Sequence, residues 1–120
     1  MNKKFSIKAR IKSFQFAFAG LYQFFKSEQN AWIHLAATIT VIIMSFVFSI
    51  TKNEAIALVF ATGFVWVAEI FNTAIEKIMD FITVGKNQKI KLIKDLSAAA
   101  VLVAAVTAAV IGCLVFIPKF

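Results

Sequence analysis

Three apolar runs dominate this chain, at residues 31–50, 55 to about 75, and 96–117. Each approaches the ~20 residues that an α-helix needs to cross a hydrocarbon core. Inside lipid every backbone N–H and C=O must be paired within the protein, so runs of this length predict membrane-spanning helices. Composition agrees, with 61% hydrophobic residues, 16% charged residues and a mean hydropathy of +0.85. Soluble domains average about 45–50% apolar and about 25% charged, and 120 residues cannot hide the surplus in a water-bounded core. A soluble globular enzyme is excluded, and one domain is all the length allows. Only Thr51-Lys52-Asn53-Glu54 separates the first two runs, so they must form an antiparallel hairpin.

Ahead of the spans, Ile7, Ile11, Phe14, Phe18, Leu21 and Phe25 recur at steps of three and four, with Lys8, Lys12, Gln15 and Lys26 on the other side. That period predicts an amphipathic helix over residues 5–27 lying in the membrane interface. A stripe packed against the protein's own helices is the alternative. No apolar stretch there is long enough for a signal peptide. The expected architecture is an all-α integral membrane protein, with this surface helix and spanning helices over 31–50, 55–83 and 94–117.

Lys and Arg number thirteen against six Asp and Glu. No soluble fold is available to present them to nucleic acid, so they read as membrane flanks. Eleven sit in the N-terminal segment, at Lys77 and in the polar stretch from Lys86 to Lys94, while Lys52 and Lys119 alone flank the opposite side. This places the N-terminus in the cytoplasm and the C-terminus outside the cell (inner) membrane. Cys113 is the single cysteine, which rules out a disulfide framework or zinc cluster within one copy.

The second span carries the informative residues. Glu69, Asn72, Thr73, Glu76 and Asp80 share one helical face. If Ile75 marks the membrane boundary, Glu69 lies roughly 9 Å inside it at 1.5 Å per residue. A carboxylate at that depth costs at least a few kcal/mol, and such residues usually mark function. The bland reading is an acid paired within the bundle, but two acids and an amide on one stripe point to a site. Glu28, before the first span, and Lys94 and Asp95, opening the third, reach the same boundary. Carboxylates without His or Cys partners suit Mg²⁺ shared with substrate phosphates, and lysines suit phosphate oxygens. The chemistry expected is phosphoryl transfer at the inner membrane face. Neither GxxxxGK[ST] nor GxGxxG occurs, and the protein-kinase motifs are missing. His34, the single histidine, reads as a hydrogen-bonded packing residue before it reads as a ligand. Ala100, Ala104, Ala108 and Gly112 form a small-residue stripe suited to close helix packing. Three spans enclose a site poorly, which favours a homo-oligomer.

At these residues the sequence resembles the prokaryotic diacylglycerol kinase family, which includes the undecaprenol kinases. Glu69-Ile70-Phe71-Asn72-Thr73-Ala74-Ile75-Glu76 with Asp80 is similar to that family's E-[ILV]-x-N-[TS]-A-I-E-x-x-x-D signature. Lys91, Lys94, Asp95 and the Ala98-Ala99-Ala100-Val101 run resemble its second motif. Ser13-Phe14, Ala17, Gly20-Leu21, Glu28, Asn30, His34 and the Phe116-Ile117-Pro118-Lys119-Phe120 ending resemble the undecaprenol kinase branch. Trp32 departs from it, standing where that branch often has Arg, and residues 84–90 lack its usual Pro and acidic residue. The resemblance implies one lipid kinase domain over residues 1–120, assembled as a homotrimer. It implies ATP-dependent phosphorylation of a lipid alcohol, undecaprenol ahead of diacylglycerol, with Mg²⁺. Glu69 would be the catalytic base and Asn72 would orient the site. Glu28 and Glu76 would hold the metal on ATP, and Lys94 and Asp95 would contact the nucleotide. The competing reading is a small ion- or proton-coupled transporter with Glu69 as relay. A relay needs access from both sides, and the external halves of the spans lack ionisable residues.

Overall fold

A computed structural model describes residues 4–82, 85 and 87–120. Its order is α1 (Ile7–Ser27), α2 (Gln29–Val47), α3 (Lys52–Ile82), α4 (Gln88–Phe116) and a closing 3-10 turn, Ile117–Lys119. Three of the helices, α2, α3 and α4, are long and apolar enough to cross a membrane. The chain is therefore an all-helical integral membrane protein. Lys3, Lys86 and the expected end of the second span at Thr83 lie outside the described residues.

Ser6 caps α1, its hydroxyl accepting from the Ala9 N–H. A single extended residue, Glu28, then joins α1 to α2. Trp32 bridges this joint, donating its indole N–H to the Phe25 carbonyl at 2.9 Å and stacking edge-on against the Phe25 ring at 5.3 Å. Phe24 is buried and packs edge-on against Trp66 of α3. From Ile7 to Phe18 the apolar side chains of α1 remain exposed. Packing against the protein thus holds only the C-terminal end of this helix.

The α2–α3 corner closes with a Schellman motif. Ile50 N–H bonds the Ser45 carbonyl and Ser49 N–H the Phe46 carbonyl, with Ser49 at φ 51°. Immediately after, Thr51 and Glu54 form a capping box, each side chain accepting from the other's backbone N–H at 3.2 and 2.9 Å. Lys119 reaches back to Glu54 at 3.1 Å, and Phe120 and Phe116 stack on Phe48. Leu58, Val115 and Phe116 form a buried cluster beneath. These contacts level the start of α3 with the end of α4.

From that common level α3 and α4 run side by side. Leu58, Ala61, Val65, Glu69 and Thr73 form the buried stripe of α3, at steps of three and four. Ala104, the member of the small-residue stripe that is fully enclosed, lies with Ser97 on the buried side of α4. Thirty-one residues make α3 about 46 Å long at the helical rise, well beyond a ~30 Å hydrocarbon core. With one pair of ends level, the excess of both helices projects at the other side, where Asp80 and Lys94 pair at 2.5 Å. The polar stretch before the third span is helical from Gln88, not from 94, because Asn87 caps it by accepting from the Lys89 and Ile90 N–H groups.

Thr51→Ala removes half of the capping box and should cost about 1 kcal/mol of stability. Ser49→Val forces a β-branched side chain into left-handed backbone, which that residue type adopts least readily, and should cost at least as much. Thermal unfolding of the detergent-solubilised protein should show a lowered midpoint for both. An unchanged midpoint in Ser49→Val contradicts the corner geometry.

Candidate active site

One line of side chains descends the seam between α2, α3 and α4. At its deepest point Glu69 is 5% exposed and bonds Nε2 of His34 through Oε1 at 2.7 Å. A carboxylate only accepts, so with Glu69 ionised the imidazole N–H donates. The α1–α2 joint sets the position of His34, and its ring lies 6.2 Å from that of Trp66. Trp66 in turn donates to the Thr38 hydroxyl at 2.9 Å, and Thr38 donates to the His34 carbonyl at 2.7 Å. Aromatic packing and two hydrogen bonds thus fix where the histidine stands.

One turn further along α3, Asn72 joins two helices. Its amide Oδ1 accepts from the buried Ser97 hydroxyl of α4 at 2.7 Å, and its Nδ2 donates to Glu76 at 3.2 Å. The two contacts together define which way the amide faces. Glu76 is half-buried and Glu28 half-buried at the α1–α2 joint. Beyond them Lys94 pairs with Asp80, and Lys91 pairs with Asp95 at 2.6 Å. Lys94 and Asp95 therefore already hold partners in this chain, Lys94 across helices and Asp95 on its own helix. The sequence reading brought Glu69, Asn72 and Glu76 to one face, and all three lie on α3 along the seam or beside it.

Metal donors are sparse. Among the described residues no three His, Cys, Asp or Glu side chains converge as a metal-binding group. The available donors are hard carboxylate oxygens. Mg²⁺ usually keeps several waters and takes one or two carboxylates plus phosphate oxygens, so Glu28 and Glu76 match its chemistry.

Sequence reasoning missed Ser97 and did not connect His34 to Glu69. Ser97 follows Lys94 by three residues on α4, so a hydroxyl beside a run of alanines was the available signal. The link from His34 to Glu69 crosses two helices whose rotation the periodicity leaves open.

A carboxylate held by histidine in the membrane, with an amide, a second carboxylate and lysines stepping outward to water, is the layout of a small membrane phosphotransferase. The comparisons with known proteins agree. Residues 15–116 match the family of prokaryotic diacylglycerol kinases. The undecaprenol kinase of Bacillus subtilis is 36% identical over 108 residues, covering 90% of this chain and 88% of that protein. The diacylglycerol kinase of Synechocystis is 35% identical over 111 residues, covering 88% of this chain and 61% of that longer protein. The chain belongs to the prokaryotic diacylglycerol kinase family and is a lipid kinase. Nothing in these relatives supports the transporter reading.

If Ser97 fixes the Asn72 amide, Ser97→Ala frees it to rotate and lowers kcat, while Ser97→Thr restores the hydroxyl and most of the rate. Losing such a buried hydrogen bond is worth about 1–3 kcal/mol. Steady-state kinetics of both variants check this. Equal rates for Ala and Thr would remove Ser97 from the orienting role.

Proposed function

We propose that this protein transfers the γ-phosphoryl group of ATP to the hydroxyl of a membrane lipid alcohol at the cytoplasmic face, with undecaprenol the favoured acceptor and diacylglycerol next. The observation that carries the reading is the buried Glu69–His34 pair at the deep end of a polar line leading out to Glu76 and Lys94. Similarity to the Bacillus subtilis undecaprenol kinase across most of both chains supports the acceptor.

A lipid alcohol does not ionise near neutral pH, so its attack is helped by a base within hydrogen-bond reach. Glu69 retains acceptor capacity beyond its bond to His34. Seven residues separate it from Glu76, about 10 Å along the helix, so the base stands on the lipid side of the phosphates. The hydroxyl oxygen bonds to the γ-phosphorus, its proton passes to Glu69, and the bond to the β-phosphate oxygen breaks to release ADP. Asn72, set by Ser97, keeps Glu76 in register with this axis. Lys94 exchanges Asp80 for phosphate oxygens, and Lys91 releases Asp95 toward the nucleotide. Glu28 and Glu76 would hold Mg²⁺ together with the phosphates, where the ion would supply charge neutralisation. Charge counts in the flanks support a cytoplasmic N-terminus and an external C-terminus in the inner membrane. Three spans around an open site favour a homo-oligomer, and the family resemblance implies a homotrimer, with α1 at the membrane interface through its exposed Phe14 and Phe18.

Glu69→Gln keeps the shape and removes the base, so kcat for lipid phosphorylation should fall by about 10²–10⁴ with ATP affinity little changed. Glu76→Gln should instead raise the Mg²⁺ concentration needed for half-maximal rate. Radiolabelled phosphate transfer from ATP to undecaprenol and to diacylglycerol measures both. Near-normal turnover in Glu69→Gln contradicts the base assignment, and no transfer to any lipid alcohol by the native protein contradicts the function.

A further inference from the structure

Beyond Glu69 the polar groups of α3 divide between two sides. Asn72 and Thr73, neighbours on the next turn, point about 100° apart. Asn72 meets Ser97 of α4, on the side where Lys94 pairs with Asp80. Thr73 instead lines a groove of about 550 Å³ between α1 and α3. Phe24, buried against Trp66, is one wall of that groove, and Gly20, Leu21 and Ile70 are others. Lys77, one further turn along α3, lines the end nearer Asp80.

Two polar groups of this groove are unspent. Elsewhere in the spanning helices Thr38, Thr40, Ser45 and Thr107 each donate to the carbonyl four residues back, and Ser97 donates to Asn72. Among the described residues of those helices only the Thr62 and Thr73 hydroxyls lack a partner, and Thr73 is the buried one, at 7% exposed. No fully enclosed side-chain N or O goes unpaired among the described residues, so the Thr73 hydroxyl opens into the groove it lines. Lys77 is exposed and belongs to none of the ion pairs formed among the described residues. Its stem leans toward the turn of Thr73, because helical side chains point back toward the N-terminus. Apolar walls with a hydroxyl and an ammonium at one end suit an amphiphile with an anionic head. An uncharged lipid alcohol has no use for the lysine. We propose that this groove receives the lipid phosphomonoester product, its phosphate oxygens accepting from Thr73 and Lys77 and its tail lying along Leu21 and Ile70. ADP and the lipid phosphate then leave by different sides of α3. The proposal rests on the lipid-alcohol reading above and holds for either acceptor, since each yields a phosphomonoester. Position selects the product over a bulk phospholipid: the free hydroxyl stands one turn, about 6 Å, from the base beside which the new ester forms.

Farnesyl monophosphate carrying a diazirine on its tail, added to the full-length protein in phosphatidylcholine vesicles, is the probe. It should crosslink to α1 and α3 along the groove. Unlabelled farnesyl monophosphate and dihexanoyl phosphatidic acid should compete, while farnesol, phosphatidylglycerol and inorganic phosphate at the same concentration should not. A hydrogen bond to a charged group is lost in Lys77→Gln, which should weaken probe binding about tenfold or more, whereas Lys77→Arg should stay near the native affinity. Thr73→Val keeps the shape, removes the hydroxyl and should also weaken binding. Lys8→Gln, a cation of α1 outside the groove, is the control and should match the native protein. In turnover, Lys77→Gln should raise the inhibition constant of added lipid phosphate by the same factor and leave the KM for lipid alcohol and for ATP unchanged. Native affinity in Lys77→Gln or in Thr73→Val overturns the proposal. Equal competition by phosphatidylglycerol makes the groove a general anionic-lipid surface, and equal competition by farnesol makes it a hydrocarbon groove; either overturns it. Absence of competable crosslinks means that something else, such as a second copy, covers the groove, which also overturns it. Crosslinking needs no turnover, so it decides the groove even if phosphoryl transfer to lipid alcohols fails.

Discussion

The hydrogen bond between Glu69 and His34 is the contact around which the bundle is arranged. An ionised carboxylate at membrane depth costs at least a few kcal/mol unless paired, while a hydrogen bond to a charged group returns about 1.5–3 kcal/mol. Glu69 occupies a position on α3 where the neighbouring turns place Val65 and Thr73, so the same stripe that packs the helix also holds the acid. Placing His34 opposite it requires α2 to start at a defined height. The Trp32–Phe25 bond, the rings on Trp66 and the bond from Trp66 to Thr38 supply that height.

Helix length then converts burial into a gradient from lipid to water. The corner at Ser49, the capping box and the Lys119–Glu54 pair level α3 and α4 at one end. Because both helices exceed the hydrocarbon thickness, the surplus turns emerge together at the other end and carry Asp80, Lys91, Lys94 and Asp95. An acid in lipid, an amide at the border and lysines in water follow from two long helices sharing one starting level. Exposed ion pairs of this kind add about 0–1 kcal/mol to stability, so breaking them costs the fold little.

Much of this was legible in the sequence because membrane helices announce themselves by length, and a 3.6-residue period alone puts Glu69, Asn72 and Glu76 on one face. The polar stretch before α4 misled, since Lys and Gln there look like a loop until Asn87 is seen capping the helix. Ser49 carried no signal, as glycine is the usual marker of a left-handed corner. Nor did His34 declare its partner: rotation of α2 against α3 depends on aromatic rings and on the Thr38 hydroxyl meeting Trp66, 28 residues away, and no local pattern encodes that.

If Glu69 and His34 work as one unit, their contributions to catalysis are not independent. A double-mutant cycle on kcat, with Glu69→Gln, His34→Leu and the combined variant assayed for phosphate transfer from ATP to a lipid alcohol, measures this directly. The account predicts that His34→Leu slows the native protein but adds almost nothing once Glu69 is Gln. Effects that multiply in the combined variant would mean that the histidine acts elsewhere, and would contradict the account.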